Sequence, residues 1–167
     1  DDADRWRDFF VGKYGMNCRF YADEQTGVPG RRAHVVGQGR INFLVAEPAG
    51  RGPEADFMRW HLDKHGCGVR DVAFRVRDAK VAFEEALKRG AKAVDMPLGV
   101  MELDIPCIEG IGGAYVYLVD RYGAQTIYDV DFRPIEGADE KKNSVGLTYL
   151  DHLTHNVFRG NMATWAD

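Results

Sequence analysis

Apolar residues in this chain recur at two spacings, and the switches between them lay out the elements. Trp6, Phe9, Phe10 and Lys13 fall on neighbouring helical turns behind a capping Asp4 and ahead of Gly15, which predicts a short amphipathic helix. Met16 to Ala22 then reads as a strand, and after the Gly27 to Gly30 turn come two more, Ala33 to Gly37 and Ile41 to Glu47, joined by a hairpin over Gly37 to Arg40. Pro53 suits the first turn of a second helix, where its missing N–H costs nothing. Phe57, Trp60 and Leu62 or Lys64 give that helix an apolar side and Gly66 ends it. Val69 to Arg77 is a strand, Asp78 caps a third helix carrying Val81, Ala82, Phe83, Ala86 and Leu87, and Gly90 stops it.

Beyond Ala91 the period returns to two. Strands are predicted at Lys92 to Asp95, Met101 to Ile108, Tyr115 to Asp120 and Thr126 to Phe132, separated by Gly and Pro turns. Residues 134–146 (PIEGADEKKNSVG) are charged and poor in apolar side chains, as a linker is. Tyr149 to Val157 reads as a further strand, followed by a second Trp-x-Asp at Trp165 and Asp167 that echoes Trp6 and Asp8. The echo predicts two modules: a domain over 1–133 whose first strand lies upstream of residue 1, a linker over 134–146, and the truncated opening of a second domain over 147–167.

Composition narrows the function classes. With 45% apolar and 11% aromatic residues, 167 residues can bury a sizeable core, and the net charge of -4 leaves no cation excess for nucleic acid or anionic membrane surface. Apolar runs are too short to span a bilayer, and the acidic, aromatic opening DDADRWRDFF does not read as a signal peptide. Cys18, Cys67 and Cys107 are odd in number and scattered, which fits reduced thiols in a cytoplasmic protein, each a small apolar filler before it is a nucleophile.

Several constellations could carry chemistry. His61 and His65 have the i, i+4 spacing that chelates zinc, but Leu62 stands where HExxH has Glu, so they read as a solvated helix face. Gly110 to Gly113 precedes an alternating strand and not a helix, so it reads as a hairpin or bulge, not a phosphate cradle. Glu102 and Asp104 share one strand face opposite Met101, Leu103 and Ile105, as a solvated side would. On the predicted strand His152 and His155 point to opposite faces, so only one of them can enter a given site.

The stretches VRDVAFRVRDAKVAFEEALKRGAKAV, MELDIPCIEGIGGAYVYLVDRYG, IYDVDF and LDHLTHNVFRGNMATWAD resemble the N-terminal half of bacterial 4-hydroxyphenylpyruvate dioxygenases, over most of residues 66–167. The resemblance implies an α+β fold of βαβββ modules of the vicinal oxygen chelate (glyoxalase/bleomycin resistance/dioxygenase) type, a mixed, mostly antiparallel sheet with helices packed on it. It implies a metal-free first domain and a catalytic domain holding Fe(II) through two imidazoles and a carboxylate, the first being the His of an Asp-His pair, here Asp151-His152. Asp71, and not His, precedes Val72-Ala73-Phe74, which agrees with a metal-free first domain. The implied activity is conversion of 4-hydroxyphenylpyruvate and O2 to homogentisate and CO2 in tyrosine catabolism, by a homo-oligomer. The rival readings are a 4-hydroxymandelate synthase and, for these residues alone, an inactive metal-free structural module.

Overall fold

The computed structural model describes residues 2–95, 103–138 and 144–166. Helix α1 (Ala3–Tyr14) is capped by Asp2, whose side chain accepts from Arg5 N–H, and not by Asp4 as expected. Asp4, one turn in, is engaged with Arg7 and His34 instead. Gly15 stops the helix at φ 62°, a left-handed position that L side chains enter only at a cost. The strands β1 (Asn17–Ala22), β2 (Arg31–Gln38) and β3 (Ile41–Pro48) follow, with a 3-10 turn at Glu24–Thr26 held by a reciprocal Asp23/Thr26 cap. They form an antiparallel sheet of order β3-β2-β1-β7, in which β7 (Arg133–Pro134) pairs with β1.

Strand β2 is buried on both faces. Ala33 and Val35 meet Ala22, Val28 and Phe132 on one side, while Val36 meets Met16 and Ile41 beneath Phe10 of α1 on the other. Its buried part, residues 33–38, is apolar or glycine except for His34 and Gln38, and both carry polar partners.

Helix α2 (Pro53–His65) begins with Pro53 at its first turn and ends at Gly66, as expected, and is tied to β2 by the 2.7 Å Arg31–Glu54 ion pair. A second sheet with its helix, within the 1–133 domain, runs β4 (Asp71–Arg75), α3 (Ala79–Lys88), a single bridge Ala93↔Ile108, β5 (Cys107–Glu109) and β6 (Tyr115–Val119). Strand β4 pairs with β6 in parallel and β5 pairs with β6 antiparallel. Asp78 caps α3 by accepting from Val81 N–H, and Asp120 at the end of β6 accepts from Ala79 N–H, fastening helix to sheet. The architecture is the expected α+β arrangement.

Four predicted strands differ. Lys92 to Asp95 contributes one bridge, and Met101 to Ile108 contributes a strand only from Cys107, with 101 and 102 outside the described residues. Thr126 to Phe132 is a turn of helix, α4 (Tyr128–Asp131). There Asp129 accepts from Thr126 N–H at 2.6 Å and the Thr126 hydroxyl accepts from Tyr128 N–H at 3.2 Å, local bonds that compete with a ladder. Tyr128 and Phe132, one turn apart, then reach the same cluster, their rings 5.5 Å from each other. The fourth, Tyr149 to Val157, forms no strand: it has no neighbouring ladder among the described residues, and its backbone is solvated. Helix α5 (Met162–Ala166) follows it. Among the described residues no helix is long and apolar enough to cross a membrane.

Candidate functional site

His152 lies in this unpaired stretch. Its ring Nδ1 is 2.7 Å from Asp151 Oδ2, and both side chains are largely exposed, at 73% and 75%. A carboxylate on Nδ1 fixes the tautomer and leaves Nε2 for another partner, the arrangement that outer carboxylates impose on metal-binding imidazoles. His155 is exposed too, and with no strand present the expected opposition of the two rings has no pleat to enforce it. Among the described residues no group of three or more His, Cys, Asp or Glu side chains is gathered as a metal centre. His152 therefore suits the role of one ligand, while these residues by themselves do not fit an iron site of two imidazoles and a carboxylate.

Asp71, which precedes Val72-Ala73-Phe74 in β4, is held in an ion pair with Arg70. Arg70 Nε donates to Asp71 Oδ1 at 2.7 Å, and its guanidinium lies 5.3 Å from the centre of the Phe57 ring and 5.4 Å from that of Tyr115. Those two rings stack on each other at 7° with centroids 6.1 Å apart, and the guanidinium lies to the side of the stack, within cation–π reach of both. Burial, and then the Asp71 charge, pushes the nearby Cys107 thiol up to about 11 and raises the Tyr117 hydroxyl as well. Both stay protonated at neutral pH, a poor setting for a thiolate or phenolate ligand.

The other sequence candidates separate. His61 and His65 have ring centres 4.7 Å apart, but His61 is half-buried with an enclosed Nδ1 that has no hydrogen-bond partner, so the expected solvated face holds only for His65. Burial lowers the His61 pKa, and the charges of His65 and Arg70 lower it further; cations this near also oppose a metal ion. Gly110 to Gly113 is the β5–β6 turn, with Gly110 N–H donating to Ala114 O at 2.8 Å and positive φ at Gly112 and Gly113, as the hairpin reading requires. Asp104 is exposed and outside any strand, and Glu102 lies outside the described residues.

One polar cluster escaped the sequence pattern. His34, on the α1 side of β2, places Nε2 2.8 Å from Asp4 Oδ1 and Nδ1 4.0 Å from Cys18 Sγ. The thiol also donates to Phe20 O at 3.8 Å, and burial raises its pKa, so it is a neutral core group and not a nucleophile. At Asp4, burial alone would raise the carboxyl, but the His34 hydrogen bond and the charges of Arg7, His34 and Arg32 outweigh it and hold the carboxyl below its ordinary 3.8. A carboxyl more acidic folded than unfolded contributes stability that is complete above that ordinary value and lost as pH falls through the lower folded one. Asp4→Asn is accordingly expected to flatten the acid limb of stability below about pH 4. Urea midpoints between pH 2 and 6 check this, and parallel acid limbs for the two proteins would contradict it.

Residues 28–133 match the family model described as hydroxyphenylpyruvate dioxygenase, HPPD, N-terminal. The chain is 55% identical over 103 residues to a 4-hydroxyphenylpyruvate dioxygenase of Pseudomonas aeruginosa, covering 62% of this chain and 29% of that protein. It is 42% identical over 135 residues to that of Pseudomonas sp. (strain P.J. 874), covering 80% and 36%. Hemolysin VllY of Vibrio vulnificus is 48% identical over 139 residues, covering 81% and 37%. The chain thus spans about a third of the length of these curated relatives. Among solved structures, a mutant 4-hydroxymandelate synthase from Streptomyces coelicolor superposes with a TM-score of 0.66 at 24% identity, over 88% of this chain and 40% of that one, a likeness of fold. With this match over residues 28–133, more than half of its length, the chain belongs to the hydroxyphenylpyruvate dioxygenase family.

Proposed function

We propose that these residues serve a 4-hydroxyphenylpyruvate dioxygenase, a cytoplasmic, homo-oligomeric Fe(II) enzyme that converts 4-hydroxyphenylpyruvate and O2 to homogentisate and CO2. Residues 1–133 are its metal-free domain, 134–146 a linker and 147–167 the opening of the catalytic domain. The observation that carries the reading is the 55% identity to the Pseudomonas aeruginosa protein of that name. The Asp151–His152 pair supports it by leaving one oriented imidazole nitrogen, Nε2, for iron. Fe(II) in a complete site would supply the centre at which the 2-oxo acid and O2 meet. What this chain contributes is one ligand and a packed domain beside it, so the 167 residues alone are expected to be inactive.

The test is oxygen uptake by the longer protein with 4-hydroxyphenylpyruvate, with the product identified by chromatography and mass. Homogentisate is the expected product. 4-Hydroxymandelate would move the assignment to the synthase reading, and no uptake with iron supplied would overturn the enzyme reading. Tight stoichiometric Fe(II) binding by the isolated 167 residues would overturn the assignment of this piece as inactive and metal-free.

A further inference from the structure

Residues 147 and 148 are bound to the first sheet at several points, all of them close to His152. Gln38 is 1% exposed, yet both ends of its amide are used. Its Nε2 donates to Gly15 O at the end of α1 at 2.7 Å, and its Oε1 accepts from Leu147 N–H at 2.6 Å. Within the hairpin turn itself, Arg40 N–H donates to Thr148 O at 2.9 Å. Between them Gly39 sits at φ +57°, and a Cβ there would lie 2.9 Å from both Leu147 O and Thr148 O. The Leu147 side chain packs against Met16, Val36 and Ile41.

A buried amide that satisfies a helix-end carbonyl and a distant backbone N–H is costly to remove, because each group left unmade loses its full solvation. A glycine whose missing Cβ makes room for two carbonyls is required by that close approach. His152 follows Thr148 by four residues, a reach of at most roughly 14 Å, and the chain between them has no ladder of its own. The anchored backbone at 147–148 therefore limits how far from the β2–β3 hairpin the Asp151–His152 pair can stand.

We propose that Gln38 and Gly39 are positioning residues, a latch from the β2–β3 hairpin to Leu147–Thr148 that sets where His152 stands. The proposal rests on the reading of His152 as an iron ligand. Its test uses the longer protein, comparing Gln38→Met, Gly39→Asn and His152→Ala by amide hydrogen exchange and by Fe(II) affinity. Gly39→Asn keeps a residue that tolerates the left-handed turn at an exposed hairpin tip, so it carries the test should Gln38→Met not fold. Both latch variants are expected to lose protection at the Leu147 amide by about tenfold or more and to bind Fe(II) about 10- to 100-fold more weakly, the loss typical of groups that orient a ligand. Unchanged protection in both would overturn the latch. Lost protection with unchanged iron affinity, when His152→Ala does lose iron, would overturn the positioning role alone. Iron retained by His152→Ala would instead overturn the functional reading, and the proposal with it.

Discussion

Replacing His152 by alanine in the longer protein is expected to abolish iron retention and turnover while leaving the fold intact. The two effects separate because the side chain is 73% exposed and, among the described residues, its polar contact is with the neighbouring Asp151, a solvated pair worth little to stability. The urea midpoint should therefore move by no more than about 0.5 kcal/mol equivalent. Iron affinity should fall by at least about 100-fold, because removing even a group that only orients a ligand costs 10- to 100-fold. Metal content after gel filtration and oxygen uptake measure the outcome together. Unchanged turnover would remove His152 from the site, and a collapse of the urea midpoint would make it a folding residue.

The largest stability effect is expected at Gly37, where β2 runs between β1 and β3, opposite Asn17 and Asn42. A Cβ at this position would lie 2.4 Å from Ile41 O and 2.9 Å from both Arg19 Nη1 and Asn42 Oδ1. The first of these atoms is backbone in the paired strand, so relief requires the hairpin itself to shift, and Arg19 and Asn42 would have to give up their mutual hydrogen bond. Gly37→Ala should cost about 3 kcal/mol, the upper end for overpacking a closed site. The check is a fall in urea midpoint at unchanged slope. A loss under about 0.5 kcal/mol would show that the hairpin has room that the register denies.

What could be read along the chain follows from local physics. Helix ends are signalled by side chains that bond their own next turn and by residues that tolerate the backbone there: Asp78 caps α3, Pro53 opens α2, and Gly15 at φ 62° closes α1. The start of α1 falls two residues ahead of the sequence expectation because Asp2 and Asp4 are equally good caps in isolation, and it is His34 and Arg32 on β2 that claim Asp4. IYDVDF alternates as a strand does, yet it folds as α4, since Tyr128 and Phe132 reach the core beside Phe20 through helical spacing. A strand is defined by its neighbour, and Tyr149 to Val157 has the pattern of one without a ladder to join.

The amino-acid sequence by itself determined the fold class, the family and most helix ends, because periodicity, caps and short motifs are encoded within a few residues of one another. Tertiary structure alone decided the rest. The Arg70 guanidinium beside the stacked rings of Phe57 and Tyr115, the buried His34 on Asp4, and the Gln38 amide on the Leu147 N–H each join groups that are distant along the chain. No local pattern marks such partners: a glutamine beside a turn looks solvated until both of its amide ends are found occupied inside the core.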